Sequence, residues 1–331
     1  YGSVWRATIG DIVGRVVQVA ALSVGFFVFP AAITTLWVAG AFTAGLTIAF
    51  SIHILLLPEK RLLRMKISGK MWGNIIKISW PIALMLILNV IYFRIDTVLL
   101  SLLRTSQEVG LYSLAYKIIE NGLFFPAMIG GLLLPAITSA LVHNNPRRSQ
   151  ELITQGLTLS LSGACILVAI LITFANEIIV LLSPVSFSQS APLLQILALA
   201  LGSMFVGNIF GFSLIALGKQ KDLAMLYGVL ALGNIVLNVL CIPLFGAAGT
   251  AWVTVITEIT ATIVAAIMVT RHIPWRIPLR SSASILISTF VSVGLSAILL
   301  ADSSILLRLS VTFILYGAMM HWCGVWSRIK I

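Results

Sequence analysis

Long apolar runs, each of about 20 residues or more, follow one another along the whole chain. At about 1.5 Å per helical residue, a run of that length matches the hydrocarbon core of a bilayer. A membrane barrel would instead need segments of about ten residues that alternate apolar and polar, and these runs lack a period of two. The expected fold class is therefore all-α, a polytopic membrane helical bundle of about ten transmembrane helices. They are placed near residues 8–29, 33–57, 73–102, 107–141, 148–175, 188–217, 221–243, 247–271, 281–301 and 304–326. Composition closes the alternatives. The chain has 331 residues, 60% apolar and 9% charged, with a mean hydropathy of +1.09. Soluble proteins average about 45–50% apolar and about 25% charged. So much apolar surface cannot be hidden from water in one core, which excludes soluble enzymes, disordered tails and nucleic-acid-binding domains.

The net charge of +11 comes from 21 Lys+Arg against 10 Asp+Glu. With both chain ends on the cytoplasmic side, 17 of the 21 cations fall in inner segments. The outer loops 30–32, 176–187, 244–246 and 302–303 then hold none, and 103–106 holds only Arg104. This is the asymmetry that sets orientation in a cytoplasmic (inner) membrane. Trp5, Trp72, Trp275 and Trp326 lie near inner helix ends, where amphipathic rings settle. The basic stretch 58–72 reads both as an orientation signal beside anionic lipid and as a linker between two lobes. Cys165, Cys241 and Cys323 sit in apolar runs and read as small hydrophobes. No metal or cofactor is expected. There is no nucleotide-binding glycine loop, and the short outer loops leave no room for a catalytic domain. His53, His143, His272 and His321 are scattered, which disfavours a membrane-embedded glycosyltransferase or ligase. Tyr1 is not a start methionine, so an N-terminally truncated chain is expected.

Polar residues inside the spans are the functional candidates, because a charge at mid-membrane costs at least about 2.5–3.5 kcal/mol. Helical spacing groups them into stripes. In the first helix Asp11, Arg15 and Gln18 form one stripe, read as an interfacial ion pair or part of an inner vestibule. In the third, Asn89, Tyr92 and Asp96 share a face, with Asp96 expected toward a cavity. Arg94 lies about 200° around the helix from Asp96 and does not pair with it simply. In the fourth, Tyr112, Tyr116 and Glu120 share a face, and Lys117 and Glu120 can pair near mid-membrane, as a packing device or as part of a hydrated site. In the eighth, Thr250, Thr254 and Glu258 align, beside Asn234 and Asn238 of the seventh. Interhelical hydrogen bonding accounts for these as well as a site does. Gly10–Gly14 and Gly207–Gly211 read as close helix contacts. GDIVGRVV (10–17) and GNIVLNVL (233–240) agree at four of eight positions, the trace of a duplicated bundle or a chance match in an Ile/Val-rich chain.

Three stretches carry a family resemblance: ISWPIALMLILNVIYFRIDTVLLSLL (78–103), EVGLYSLAYKIIENGLFFPAMIGGLLLPAIT (108–138) and ALGKQKDLAMLYGVLALGNIVLNVLCIPLFGAAGTAWVTVITE (216–258). In order and spacing they resemble the polysaccharide transporter family, the O-antigen-type flippases of the multidrug/oligosaccharidyl-lipid/polysaccharide (MOP) exporter superfamily. The resemblance implies two helices of an incomplete N-lobe (1–57), the basic inter-lobe loop (58–72), a six-helix C-lobe (73–271) and two additional helices (272–331). It implies no enzymatic activity. The implied function is alternating-access export of an undecaprenyl-diphosphate-linked oligosaccharide in polysaccharide or O-antigen synthesis. The implied partners are that substrate, membrane lipids, a polysaccharide polymerase and glycosyltransferases, and no nucleic acid. Under it, Arg15, Lys117, Asn89, Tyr92 and Tyr116 are candidate substrate-binding residues, and Asp96, Glu120, Glu258 and Asp11 candidates for charge balance or ion coupling. A peptidoglycan lipid-precursor flippase and a cation-coupled drug or metabolite antiporter remain the alternatives.

Overall fold

The computed structural model describes residues 4–28, 35–56, 69–275, 278–301 and 303–325. The basic stretch up to residue 68, Trp326 and both chain ends lie outside the described residues. All regular structure among the described residues is helical. The chain divides into two units, 1–75 and 76–331.

The first unit is built on α1 (Val4–Val28) and α2 (Thr35–Leu55). Gly14 and Gly45 lie at their crossing: a Cβ added at Gly14 would stand 2.7 Å from the Gly45 carbonyl oxygen. The Gly10–Gly14 spacing thus does what small residues do between membrane helices. Gln18 Nε2 donates to the Phe42 carbonyl at 3.3 Å, and Asp11 lies 3.7 Å from His53.

The second unit holds most of α3 (Gly69–Leu103), then α4 (Ser106–Gly122), α5 (Phe124–Val142), α6 (Pro146–Thr173), α7 (Ala175–Leu182), α8 (Ser190–Ala216), α9 (Gln220–Thr270), α10 (Leu279–Leu299) and α11 (Ile305–Trp322). The ends agree with the sequence reading to within a few residues. The span expected at 107–141 is broken at Leu123 into α4 and α5, ahead of Pro126, whose ring and missing N–H disfavour an uninterrupted helix. The segment 176–187, expected from the sequence to be an outer loop, holds most of α7 and a 3-10 turn (Val185–Phe187). α10 and α11 dock on α6: Tyr316 donates to the Ser162 carbonyl at 2.8 Å, and Arg308 pairs with Glu177 of α7 at 3.5 Å.

α9 consists of two arms meeting at Gly246, which has φ 58° and ψ −140°. These arms are the two helices expected at 221–243 and 247–271. Pro243 lacks an N–H, and the turn orphans carbonyls of the first arm and amides of the second. Two residues from the α3–α4 corner satisfy them. Arg104 donates to the Ile242 carbonyl at 2.8 Å and to that of Pro243 at 3.0 Å, while Glu108 accepts from the Ala247 N–H at 3.2 Å. The loops at 103–106 and 244–246, assigned to one membrane side by charge counting, therefore meet at one end of the bundle. A Cβ at Gly246 would run into the Glu108 carboxylate. Gly246→Ala should lower the apparent midpoint of thermal unfolding in detergent, with strain of about 1–3 kcal/mol. An unchanged midpoint would show that the corner tolerates a side chain.

Candidate functional site

Three successive turns of α4 grip α3. Tyr112 donates to Asp96 Oδ2 at 2.6 Å, Tyr116 donates to the Phe93 carbonyl at 3.0 Å, and Glu120 pairs with Arg94. The spacing of Tyr112, Tyr116 and Glu120 puts them on one face. Arg94, which lies off the Asp96 face, pairs across to the neighbouring helix. Lys117 Nζ sits 2.9 Å from the other Glu120 oxygen. Two cations thus share one carboxylate, leaving one positive charge in excess. The side chains of Arg94 and Lys117 are 54% and 65% exposed within this unit, against 30% for Glu120. Lys117 lies about 16 Å along α4 from its start, close to half the hydrocarbon thickness. Asn89, Arg94, Tyr116 and Glu120 line a groove of about 270 Å³ beside the cluster.

Asp96 lives differently. It is 2% exposed and does not open on a cavity as expected. It accepts from Tyr112 Oη, from the Thr97 N–H at 2.6 Å and from Thr254 Oγ1 at 3.5 Å. The reason is α4: Tyr112 and the α9 hydroxyls close over the face that an isolated α3 would leave open. Among the described residues no cation joins this network. Asn238 Nδ2 donates to Asn234 Oδ1 at 2.8 Å, and Asn234 Nδ2 donates to Thr257 Oγ1 at 3.4 Å. The Asn238 side-chain carbonyl and the Thr250 hydroxyl are buried without a hydrogen-bond partner among the described residues.

Asn89 and Tyr92 line a second cavity, of about 300 Å³, enclosed by α3, α8, both arms of α9 and the α4–α5 junction. Glu258 and Asn208 also face it. Asn208 was not singled out from the sequence, although an amide inside an apolar span (SMFVGNIFGF) is a signal of the kind used elsewhere. Nor were Arg104 and Glu108, whose corner roles depend on a segment more than a hundred residues away. Asp11 and Arg15 belong to the first unit. There Asp11 faces His53, and Arg15 Nη1 donates to Gln18 Oε1 at 3.2 Å.

Comparison with known proteins places this arrangement. A family model described as "Polysaccharide biosynthesis protein" matches residues 7–141, and the MatE model matches residues 81–240. No curated protein matches the chain in sequence. Among solved structures, the lipid II flippase MurJ in an inward closed conformation superposes with a TM-score of 0.74 at 12% identity, covering 98% of this chain and 68% of that one. The chain has the fold of the MOP superfamily. An outward-facing multidrug resistance MATE family transporter of that superfamily aligns at TM-score 0.51 and 16% identity, over 77% of this chain and 66% of its own. A MATE in the straight conformation aligns at 0.55 and 14%, over 77% and 66%. The chain thus spans about two thirds of the length of each. The resemblance read from residues 78–258 is borne out, and the polysaccharide biosynthesis model extends it over α1 and α2. The chain is a multi-pass membrane protein.

Tyr112→Phe deletes the shortest side-chain donor to Asp96. It should lower stability in detergent by about 1–3 kcal/mol. Combining it with Asp96→Asn should give less than the sum of the two losses, because both disrupt one bond. Strict additivity in thermal unfolding would count against the network.

Proposed function

We propose that the chain belongs to a flippase that carries an undecaprenyl-diphosphate-linked oligosaccharide across the cytoplasmic membrane, during synthesis of a surface polysaccharide such as O-antigen. The observation that carries the reading is the half-exposed Arg94–Glu120–Lys117 cluster in the spans α3 and α4. Facing lipid, each charge would cost at least about 2.5–3.5 kcal/mol. The face therefore serves water and a polar cargo. Its excess positive charge suits a diphosphate, and a guanidinium can engage phosphate oxygens in a bidentate way. Arg15 is the candidate on the first unit, and Tyr116 and Asn89 border the groove. The lobes keep the proposed boundaries: 1–57, the loop 58–72, a C-lobe at 73–271 and two further helices. A polymerase and glycosyltransferases are the proposed partners, and the chain itself performs no covalent chemistry.

Asp96 is the proposed coupling acid. It is a buried carboxyl group that no cation joins among the described residues, near the Asn238 and Thr250 oxygens that lack a hydrogen-bond partner among those residues. Glu258 and Asp11 are secondary candidates. A second reading, export of a peptidoglycan lipid precursor, is favoured by the match of nearly the whole chain to MurJ. It would use the same diphosphate chemistry. A cavity lined only by acids and aromatics would favour an antiporter of organic cations. The cavity at Glu258 holds an acid and aromatics but also the amides of Asn89 and Asn208, and the groove beside it carries Arg94.

In proteoliposomes, Lys117→Gln combined with Glu120→Gln should slow translocation of a fluorescent lipid-linked oligosaccharide about tenfold or more, the equivalent of one lost charge-assisted contact. Protein yield should stay the same. Unchanged flipping would remove the cluster from the transport path.

A further inference from the structure

The cavity at Glu258 has features that the diphosphate reading leaves unused. Among its described lining residues there is no lysine or arginine, so it offers nothing to a phosphate. Yet it gathers polar groups that the protein itself does not satisfy. The Asn208 side-chain carbonyl is buried without a hydrogen-bond partner among the described residues. The Tyr92 hydroxyl lies beside the Glu258 carboxyl group without reaching a hydrogen bond of ordinary geometry. Asn89 adds an amide. Buried polar atoms left unpaired cost about 1–3 kcal/mol each, and a native protein keeps them where something else completes them. The walls are aromatic: the rings of Tyr92 and Tyr227 stack with centroids 6.1 Å apart, and Phe93 and Phe212 stand on the lining. The volume of about 300 Å³ is the room of about ten waters, the scale of one sugar ring and not of a whole oligosaccharide. Most telling is its position. Asn89, Phe93 and Leu123 line both this cavity and the groove at Arg94, so the two adjoin across one layer of side chains.

We infer that this cavity is a subsite for a single sugar ring, the one attached directly to the diphosphate, while the adjoining groove at Arg94 holds the diphosphate. The inference rests on the flippase reading and deepens it. Amides, hydroxyls and one carboxylate form a mixed set of donors and acceptors, which matches a polyol. Flat aromatic faces suit the apolar C–H face of a pyranose. A bare cation would need oxygens converging on one point, whereas these polar groups come from α3, α8 and the second arm of α9 around an apolar volume.

The test uses the full chain in detergent and two kinds of probe. One is farnesyl diphosphate, and the other is farnesyl diphosphate bearing one hexose (glucose, galactose or N-acetylglucosamine). Binding is followed by calorimetry. At least one sugar-bearing probe should bind more tightly than the bare diphosphate. Asn208→Leu should erase that advantage, a loss of about tenfold, while leaving the bare diphosphate's affinity unchanged, which also certifies folding. Tyr92→Phe, which removes one hydroxyl, should reduce the same advantage. Arg94→Gln should weaken both kinds of probe alike. If no sugar improves on the bare diphosphate, or if Asn208→Leu and Tyr92→Phe leave the sugar advantage intact or weaken all probes equally, the subsite is wrong and the flippase reading stands. Stabilisation by sodium that depends on Asn208, without a sugar preference, would assign the cavity to a cation and overturn the proposal. Failure of every probe to bind would overturn the flippase reading, and the subsite with it.

Discussion

Hydrocarbon offers no hydrogen bonds, so each polar group that a membrane helix carries must be completed by the protein, by water it admits or by cargo. The packing of the second unit follows from that constraint. Arg104 and Glu108 occupy the α3–α4 corner because the turn at Gly246 bares carbonyls on one arm of α9 and an amide on the other. Tyr112 donates to Asp96 and Tyr116 to the Phe93 carbonyl, which pairs polar groups of α3 with α4.

Where the constraint is met inside the protein, the result is a packed joint. Where it is not, the result is a place for something else. The Arg94–Glu120–Lys117 cluster, paired within itself but half-exposed, and the Glu258 cavity differ in sign. The first has a surplus of positive charge on a face open within the unit. The second has one carboxylate, amides and tyrosines around a partly open cavity. On the proposed reading they form, side by side, a recognition surface of two chemistries, suited to a head group that is part anion and part neutral polyol.

The membrane-length helices were legible in the sequence because length and hydropathy are local properties, and a bilayer imposes one thickness on all of them. The tyrosine–glutamate face of α4 was legible for a similar reason, since a helix with 3.6 residues per turn puts i, i+4 and i+8 together. The partner of Arg94 was not. Its spacing excluded Asp96, but the choice of Glu120 required α4 to lie against α3. The expectation that Asp96 faces a cavity failed on the same ground. A stripe says which residues share a face and nothing about what covers it, and here Tyr112 and Thr254 do.

By itself, then, the sequence determined that this is a helical membrane protein, where its spans begin and end, which side chains within them are too polar to face lipid, and a likeness to one superfamily of exporters. Tertiary structure alone decided which of those side chains satisfy one another and which are left without a hydrogen-bond partner among the described residues. Pairing is a property of helices brought side by side, and residues such as Asn89 and Asn208, or Arg104 and Ile242, have no relation along the chain until the bundle closes.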